Sequence, residues 1–365
     1  MKSLKKYEGV VIPLIALILS LTICVIVIAL LGKNPFAAFG NLLQGSGILP
    51  KLRYAGGKSM LTDFCSFLNY WTPMIFAALG VAVALKSGLF NIAISGQMLA
   101  AGFASSVIVG YSSLQSVIAK PLVILVSIVV GGATGAFIGW LKYRFNINEV
   151  VSSIMINYIL QYVVAFFINM YYVDPVSRQS RAVSDASRLT LINVELGGYR
   201  YDIPLGMILA LVVALGIQFV FKKTTLGYEL VAVGLNRRAA QYAGIHVGKT
   251  MVLAMFVSGA LAGLAGATYY LGYFASIQPK VLAATGYDSI AVALLGNSNP
   301  IGILFASFLI SVIGKGSTYM SSTTGLDAEL SSVIVSLILL FSACSVYITH
   351  CMKKVKDKLK TEVEK

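Results

Sequence analysis

The sequence predicts an all-α, polytopic membrane fold of about ten transmembrane helices in one domain over 1–365, with both termini cytoplasmic. Three observations carry that prediction. Only 12% of the 365 residues are charged and 58% are hydrophobic, with a mean hydropathy of +0.84. A soluble domain carries roughly a quarter charged residues, so lipid is the better solvent for this chain. Second, apolar runs recur along the whole length, and a helix needs about 20 apolar residues to cross ~30 Å of hydrocarbon at ~1.5 Å per residue. Third, the 28 Lys and Arg residues lie between those runs and at the ends, so the formal charge of +14 is a topology signal rather than a nucleic-acid footprint.

The first run, Val10 to Leu31, follows Lys2, Lys5 and Lys6. It is longer than a signal-peptide core and no small-x-small cleavage site follows, so it predicts an uncleaved helix over 10–31. "LTIC" before Val25 lacks the small residues of a lipidation box at Thr22 and Ile23. Further helices are predicted over 66–86, 88–110, 121–141, 149–172, 203–221, 251–275, 285–296, 300–315 and 330–349. The pieces 285–296 and 300–315, split by "GNSNPIG", are short for spans. They form either two tilted crossings or a re-entrant hairpin packed within protein. With the N-terminus inside, 17 of the 28 Lys and Arg fall on the cytoplasmic side and 11 outside. That bias favours N-in, C-in. It also places 32–65 and 173–202 outside as long loops. The latter, with four acids and four arginines, is either an external docking surface or a solvated connector.

Catalytic and cofactor chemistry is not legible. Glu149, after Asn148, suits the start of a helix, where a cap and a first-turn acid complement the macrodipole. "GGKS" (56–59) and "GKT" (248–250) lack the upstream glycine of a phosphate loop, since Leu52 and Ala243 stand there. Any ATP that drives this chain must bind elsewhere. Cys24, Cys65, Cys344 and Cys351 have neither metal-pair nor disulfide spacing, and His246 and His350 are far apart. No metal, cofactor or catalytic residue is predicted.

Polar residues inside the runs are the informative ones, because they are costly there unless they face a cavity or a partner. Asn91, Ser95 and Gln97 lie in "GLFNIAISGQMLAAG", and Ser153, Asn157 and Gln161 make one stripe at i, i+4, i+8. They are read either as interhelical hydrogen bonds or as the lining of a substrate path. Asp288 joins that candidate path or caps its helix, and Phe90 and Tyr158 either stack on a ligand or pack the bundle. Gly259, Gly263, Gly266 and Gly272 are expected to let helices approach closely. One loop is unusual: "GYELVAVGLNRRAAQYAGIHVGKT" (227–250) spaces Leu230, Val233, Ala240, Ala243 and Ile245 like the buried faces of short helices.

Five stretches in order, "KSGLFNIAISGQML", "INEVVSSIMINYI", "LGYELVAVGLNRRAAQYAGI", "SGALAGLAGA" and "GYDSIAVALLGNSNPIGILFAS", resemble the permease subunits of ABC importers. The likeness spans about 70–345 and is to the branched-chain amino acid and ribose permease superfamily, most of all to the nucleoside uptake permeases. It implies a subunit without enzymatic activity of its own, working with an ATP-binding ABC subunit, a second permease (as a hetero- or homodimer) and an external substrate-binding lipoprotein. The loop 222–250 would then be a cytoplasmic coupling loop docked in a groove of the ATPase, carried by Gly227, Gly234, Asn236, Arg237, Ala239, Ala240 and Gly244. The nucleoside path would be lined by Asn91, Gln97, Asn157, Asp288, Phe90 and Tyr158. The family pattern Gly-Leu-Phe-Asn-Ile-Gly-x-Glu-Gly-Gln is altered here, with Ala93 and Ser95 in the Gly and Glu places, which bears on cargo preference. A sugar or a branched-chain amino acid is the alternative cargo. An ion-coupled secondary transporter is the alternative class, but it usually needs a titratable acid deep in the bundle.

Overall fold

The computed structural model describes residues 2–344 except 55, 57, 197 and 328. The basic tail 350–365 and positions 345–349 of the expected last helix lie outside the described residues. Helix α1 (Lys2–Leu30) is followed by α2 (Pro35–Gly45) after a 114° bend. Here the expected loop 32–65 is in part helical. The Asn34 carboxamide accepts from the Phe36 N–H at 3.0 Å, and Pro35 needs no donor in the first turn, so "NP" is a helix start that hydropathy passes over.

Next come α3 (Met60–Lys86), opened by a Ser59/Thr62 capping box, and α4 (Ile94–Ser105). They are followed by α5 (Ser116–Phe145) and α6 (Glu149–Phe167), which runs on into a π-helical turn to Tyr172. Two antiparallel strands, β1 (Thr190–Leu196) and β2 (Tyr199–Pro204), precede α7 (Leu205–Lys223). The remaining helices are α8 (Thr225–Leu235), α9 (Arg237–Tyr242), α10 (Val247–Thr268), α11 (Ala284–Leu295), α12 (Pro300–Thr324) and α13 (Leu330–Ala343). Among the described residues, six helical segments are long and apolar enough to cross a membrane, or seven if the bent α1–α2 pair counts as one.

At the centre lie α3, buried continuously from Thr72 to Ala84, and α10, whose residues from Ser258 to Thr268 are nearly all buried. Helix α5 meets α10 at backbone distance. A Cβ on Gly259 would overlap the Gly131 carbonyl, and one on Gly263 the Ser127 carbonyl. Gly266 packs likewise on Met98, whereas Gly272 has room for a side chain and is not a packing glycine. At the periphery, α7 exposes Ile208, Val212, Leu215 and Phe219 along one face, each about 60% exposed. An apolar stripe of that kind is stable only against lipid or another subunit.

Three further sequence expectations are corrected. The run 88–110 is not one helix: positions 89–93 are irregular and α4 starts only at Ile94, so Gln97 sits in its first turn. The segment 173–202 contains a β-hairpin, so the fold is not purely helical. Nor is that segment a solvated connector, because the Ser180, Val183 and Leu189 N–H groups donate to the Ile277, Ala275 and Leu271 carbonyls. Finally, α12 does not end at Lys315. It continues to Thr324, which puts Lys315 inside a 25-residue helix. Since α7 links the β-hairpin to α8 through 19 helical residues, the hairpin and the α8–α9 pair mark opposite ends of the bundle.

Candidate functional site

The irregular segment before α4 is where three of the six predicted path residues, Asn91, Gln97 and Asn157, meet. Backbone that leaves helical geometry within a span must find partners inside the protein, and two amides supply them. Asn157 of α6 accepts from the Gly96 N–H at 2.8 Å and donates to the Ile92 carbonyl at 3.0 Å and the Tyr287 hydroxyl at 3.4 Å. Asn91 donates to Gln97 Oε1 at 3.0 Å and Ser258 Oγ at 2.9 Å, and accepts from the Ala93 N–H. Ser258 passes the link to the Gly80 carbonyl of α3. Gln161, on the same stripe as Asn157, donates to the Lys280 carbonyl at 2.6 Å. Both amides are thus spent on structure, and the backbone groups that Asn91, Asn157 and Gln161 hold lie between helices or in the first turn of α4. Gln97 differs. Its side chain is fully buried, and its Nε2 has no partner among the described residues.

Of the other expected path residues, Phe90 is half-buried and Tyr158 is exposed on α6, outside this network. The N-terminal ends of the two short helices touch: Ser95 of α4 donates to the Ala283 carbonyl before α11, and a Cβ on Gly286 would overlap the Ser95 hydroxyl. Asp288, half-buried, is one turn further along α11.

At the opposite end, α8 and α9 meet at Asn236, whose side chain accepts from the Arg238 and Ala239 N–H groups and so starts α9. The apolar residues read from the sequence are consumed internally: Leu230, Val233 and Ala240 pack on Ala84, Leu89, Ile138 and Met255. Ala243 is exposed and Ile245 half-buried. The face left open carries Leu235 at 83% and Tyr242 at 93% exposure, with Arg237, Arg238 and Ala239 beside them. Gly227 packs against the Val220 carbonyl and Gly234 against that of Lys86, whereas Gly244 serves a turn at φ +83°. Arg237 donates to the Gly88 carbonyl at 3.1 Å.

Sequence reasoning missed a cluster near the hairpin end. After α10, the π-helical turn Tyr269–Tyr273 sets Tyr269, Tyr273 and Phe274 against one another and against Tyr70 of α3, with ring centroids 4.7–5.4 Å apart. Lys315 of α12 donates to the Tyr273 hydroxyl at 2.8 Å. The signal was "TYYLGYF" (268–274), four aromatics in seven residues at the end of a run. Beside it, Gln179, Ser276 and Gln278 join Tyr269 and Phe274 around a cavity of about 90 Å³. That is well below the ~300 Å³ at which small-molecule pockets begin, so this cavity alone does not enclose a ligand. Its Gln179 wall is braced by Asp174, whose carboxylate accepts from the Val176 N–H and the Ser177 hydroxyl. The Val176 bond, followed by that of Ser177, holds the Asp174 carboxyl below its ordinary range.

Residues 64–343 match the family described as branched-chain amino acid transport system / permease component. The chain belongs to that family. It is a multi-pass permease component of the cytoplasmic membrane, as the motif resemblance implied. Among similar proteins, the guanosine ABC transporter permease protein NupP of Bacillus subtilis is 33% identical over 97% of this permease and 99% of its own length. The nucleoside ABC transporter permease protein NupB of Lactococcus lactis is 33% identical over 96% of this chain and 95% of its own. The glucose ABC transporter permease protein TsgB13 of Haloferax volcanii is 28% identical over 74% and 73% respectively.

Proposed function

We propose that this permease is the transmembrane subunit of an ATP-driven importer and translocates nucleosides across the cytoplasmic membrane. The observation that carries the reading is near full-length similarity, at 33% identity, to two permeases whose names specify guanosine or nucleoside transport. The glucose permease of Haloferax volcanii covers less of both chains at lower identity, so a sugar is the second cargo.

The finer arrangement belongs to the same proposal. Ten spans place both termini and the α8–α9 pair inside, and the hairpin segment outside. A separate ATP-binding subunit docks on the open face around Leu235, Arg237, Arg238, Ala239 and Tyr242, because exposed apolar side chains rimmed by charge favour a protein groove. Asn236 shapes that face, and Gly227, Gly234 and Ala240 seat it on the bundle. A second permease completes the membrane unit, and an external binding protein delivers cargo to the hairpin side. The path runs past the broken segment to Asp288. Gln97 offers it a free amide donor, while Asn91 and Asn157 hold its wall in shape. Deleting the encoding gene should abolish uptake of labelled guanosine or uridine and leave glucose uptake intact. The reverse pattern would move the assignment to sugars.

A further inference from the structure

Three spans end in π-helical turns at the hairpin end of the bundle: 106–110 after α4, 168–172 after α6 and 269–273 after α10. Such turns are rare and recur at functional sites, and their extra residue takes carbonyls out of α-helical register. One segment, 174–189, bonds to carbonyls of all three. Its Arg181 N–H donates to the Tyr172 carbonyl and its Ser184 N–H to that of Gly110, both at 2.8 Å. Its Leu189 N–H donates to the Leu271 carbonyl and the Arg188 guanidinium to that of Gly272, both at 3.0 Å. The segment is a clasp across the ends of α4, α6 and α10.

The clasp is fastened unevenly. On the α10 side it also grips the linker 274–283. Ser180 and Ile277 exchange hydrogen bonds in both directions at 2.9 Å, the Val183 N–H donates to the Ala275 carbonyl at 2.9 Å, and the Ser276 hydroxyl donates to Gln179. On the α4 side, among the described residues, two hydrogen bonds hold it. One is the Ser184–Gly110 bond and the other runs from the Tyr111 hydroxyl to the Arg181 carbonyl at 3.1 Å. Gly110 lies tight under Val183, since a Cβ on it would stand 2.7 Å from Val183 Cγ1. The cavity beside the clasp holds about 90 Å³. Small-molecule pockets begin near ~300 Å³, so cargo that enters at this end must first part the elements around it.

We infer that the clasp is the external gate of the permease, travelling with the end of α10 and parting from α4 at the Gly110–Val183 seam to admit cargo. The inference rests on the importer reading, with the hairpin end outside. The seam is where parting costs least. It releases two hydrogen bonds and the Val183 contact, whereas separation from α10 and its linker would break six hydrogen bonds. Residues 185–187 of the clasp also rest on α5, which is locked to α10 at backbone distance, so α5 stays with the same body.

The experiment locks the seam in cells expressing the intact importer, with the native cysteines of the permease replaced. A Cβ on Gly110 would stand 3.2 Å from that of Val183, near the ~3.5–4.5 Å that a disulfide bridges. Oxidation of the Gly110→Cys/Val183→Cys variant should lower guanosine uptake at least about tenfold, and dithiothreitol should restore it. In the control variant Gly206→Cys/Thr268→Cys, the two Cβ atoms stand 3.7 Å apart between α7 and α10, and cross-linking should leave uptake unchanged. Val183→Cys alone reads the motion without a cross-link. Val183 is 6% exposed, and an impermeant thiol reagent should label the cysteine about threefold faster in energised than in de-energised cells. That measurement decides the matter if the double variant fails to reach the membrane or to transport when reduced. Full uptake by the oxidised seam variant, an equal loss in the control, or unchanged labelling of Val183→Cys overturns the inference. A wild-type importer that takes up no nucleoside overturns the nucleoside reading instead, and the labelling of Val183→Cys still judges the gate.

Discussion

Gly234 of α8 packs backbone to backbone against Gly88, the residue at which the chain leaves α3. A Cβ on Gly88 would lie 3.0 Å from the Gly234 Cα, and one on Gly234 would overlap the Lys86 carbonyl. Arg237 adds a hydrogen bond to the Gly88 carbonyl. The irregular segment 89–93, which Asn91 and Asn157 hold, begins at the residue after Gly88, so the α8–α9 pair and the break before α4 share a direct contact. A direct contact of this kind is the physical requirement for passing a partner's motion into the bundle.

That contact predicts the effect of bulk at Gly234. Gly234→Leu should reduce uptake by at least tenfold, since the added side chain must push α8 away from Lys86. The overpacking costs about 1–3 kcal/mol. Transport measured with permease abundance and ATP turnover in the same vesicles is the check. Wild-type uptake would show that the contact is not part of the coupling.

The open face of α8 and α9 separates docking from folding. Leu235→Glu and Tyr242→Glu alter side chains that touch little of their own chain, so stability should change by no more than about 0.5 kcal/mol. The ATP-binding subunit should nevertheless no longer co-purify. Ala240→Glu should behave oppositely and lower permease abundance, because Ala240 is 2% exposed and has no room or partner for a carboxylate. Retention of the ATPase by both surface variants would place its docking site elsewhere.

Orientation is tested with single cysteines in a cysteine-free background. Ala182 in the hairpin segment and Thr225 at the start of α8 are both exposed. In intact cells an impermeant thiol reagent should label Ala182→Cys and spare Thr225→Cys. The opposite labelling would invert the topology.

The two amides near the break should separate stability from transport. Asn157→Ala strands the Gly96 N–H and the Ile92 carbonyl, and should destabilise the purified permease by about 2 kcal/mol or more. Gln97→Ala removes one accepted bond and an unused donor, so it should lower the uptake rate with a smaller loss of stability. Melting temperatures and uptake kinetics of the two variants distinguish these outcomes. Equal melting losses with unchanged uptake in Gln97→Ala would leave both as structural glue.

Membrane residence, the family and the position of the α8–α9 element were legible along the chain, because hydropathy, charge placement and ordered motifs are one-dimensional quantities. So was the polarity of Asn91, Gln97 and Asn157. Which way those amides point is a matter of assembly. Asn157 and Asn91 turn to backbone exposed by a break that hydropathy cannot register, since Gly88 to Ala93 is as apolar as the helix that follows. The same limit hid α2, a helix shorter than a span, and the hairpin inside a charged loop. Leu230 and Val233 show the sharpest case: their spacing announced a buried face, but only packing on Ala84 and Met255 decided that the partner was the chain itself. Lys315, Tyr273 and Tyr70 come from three elements widely separated in sequence. No spacing rule joins them, and their proximity exists only once α3, the turn after α10 and α12 have packed.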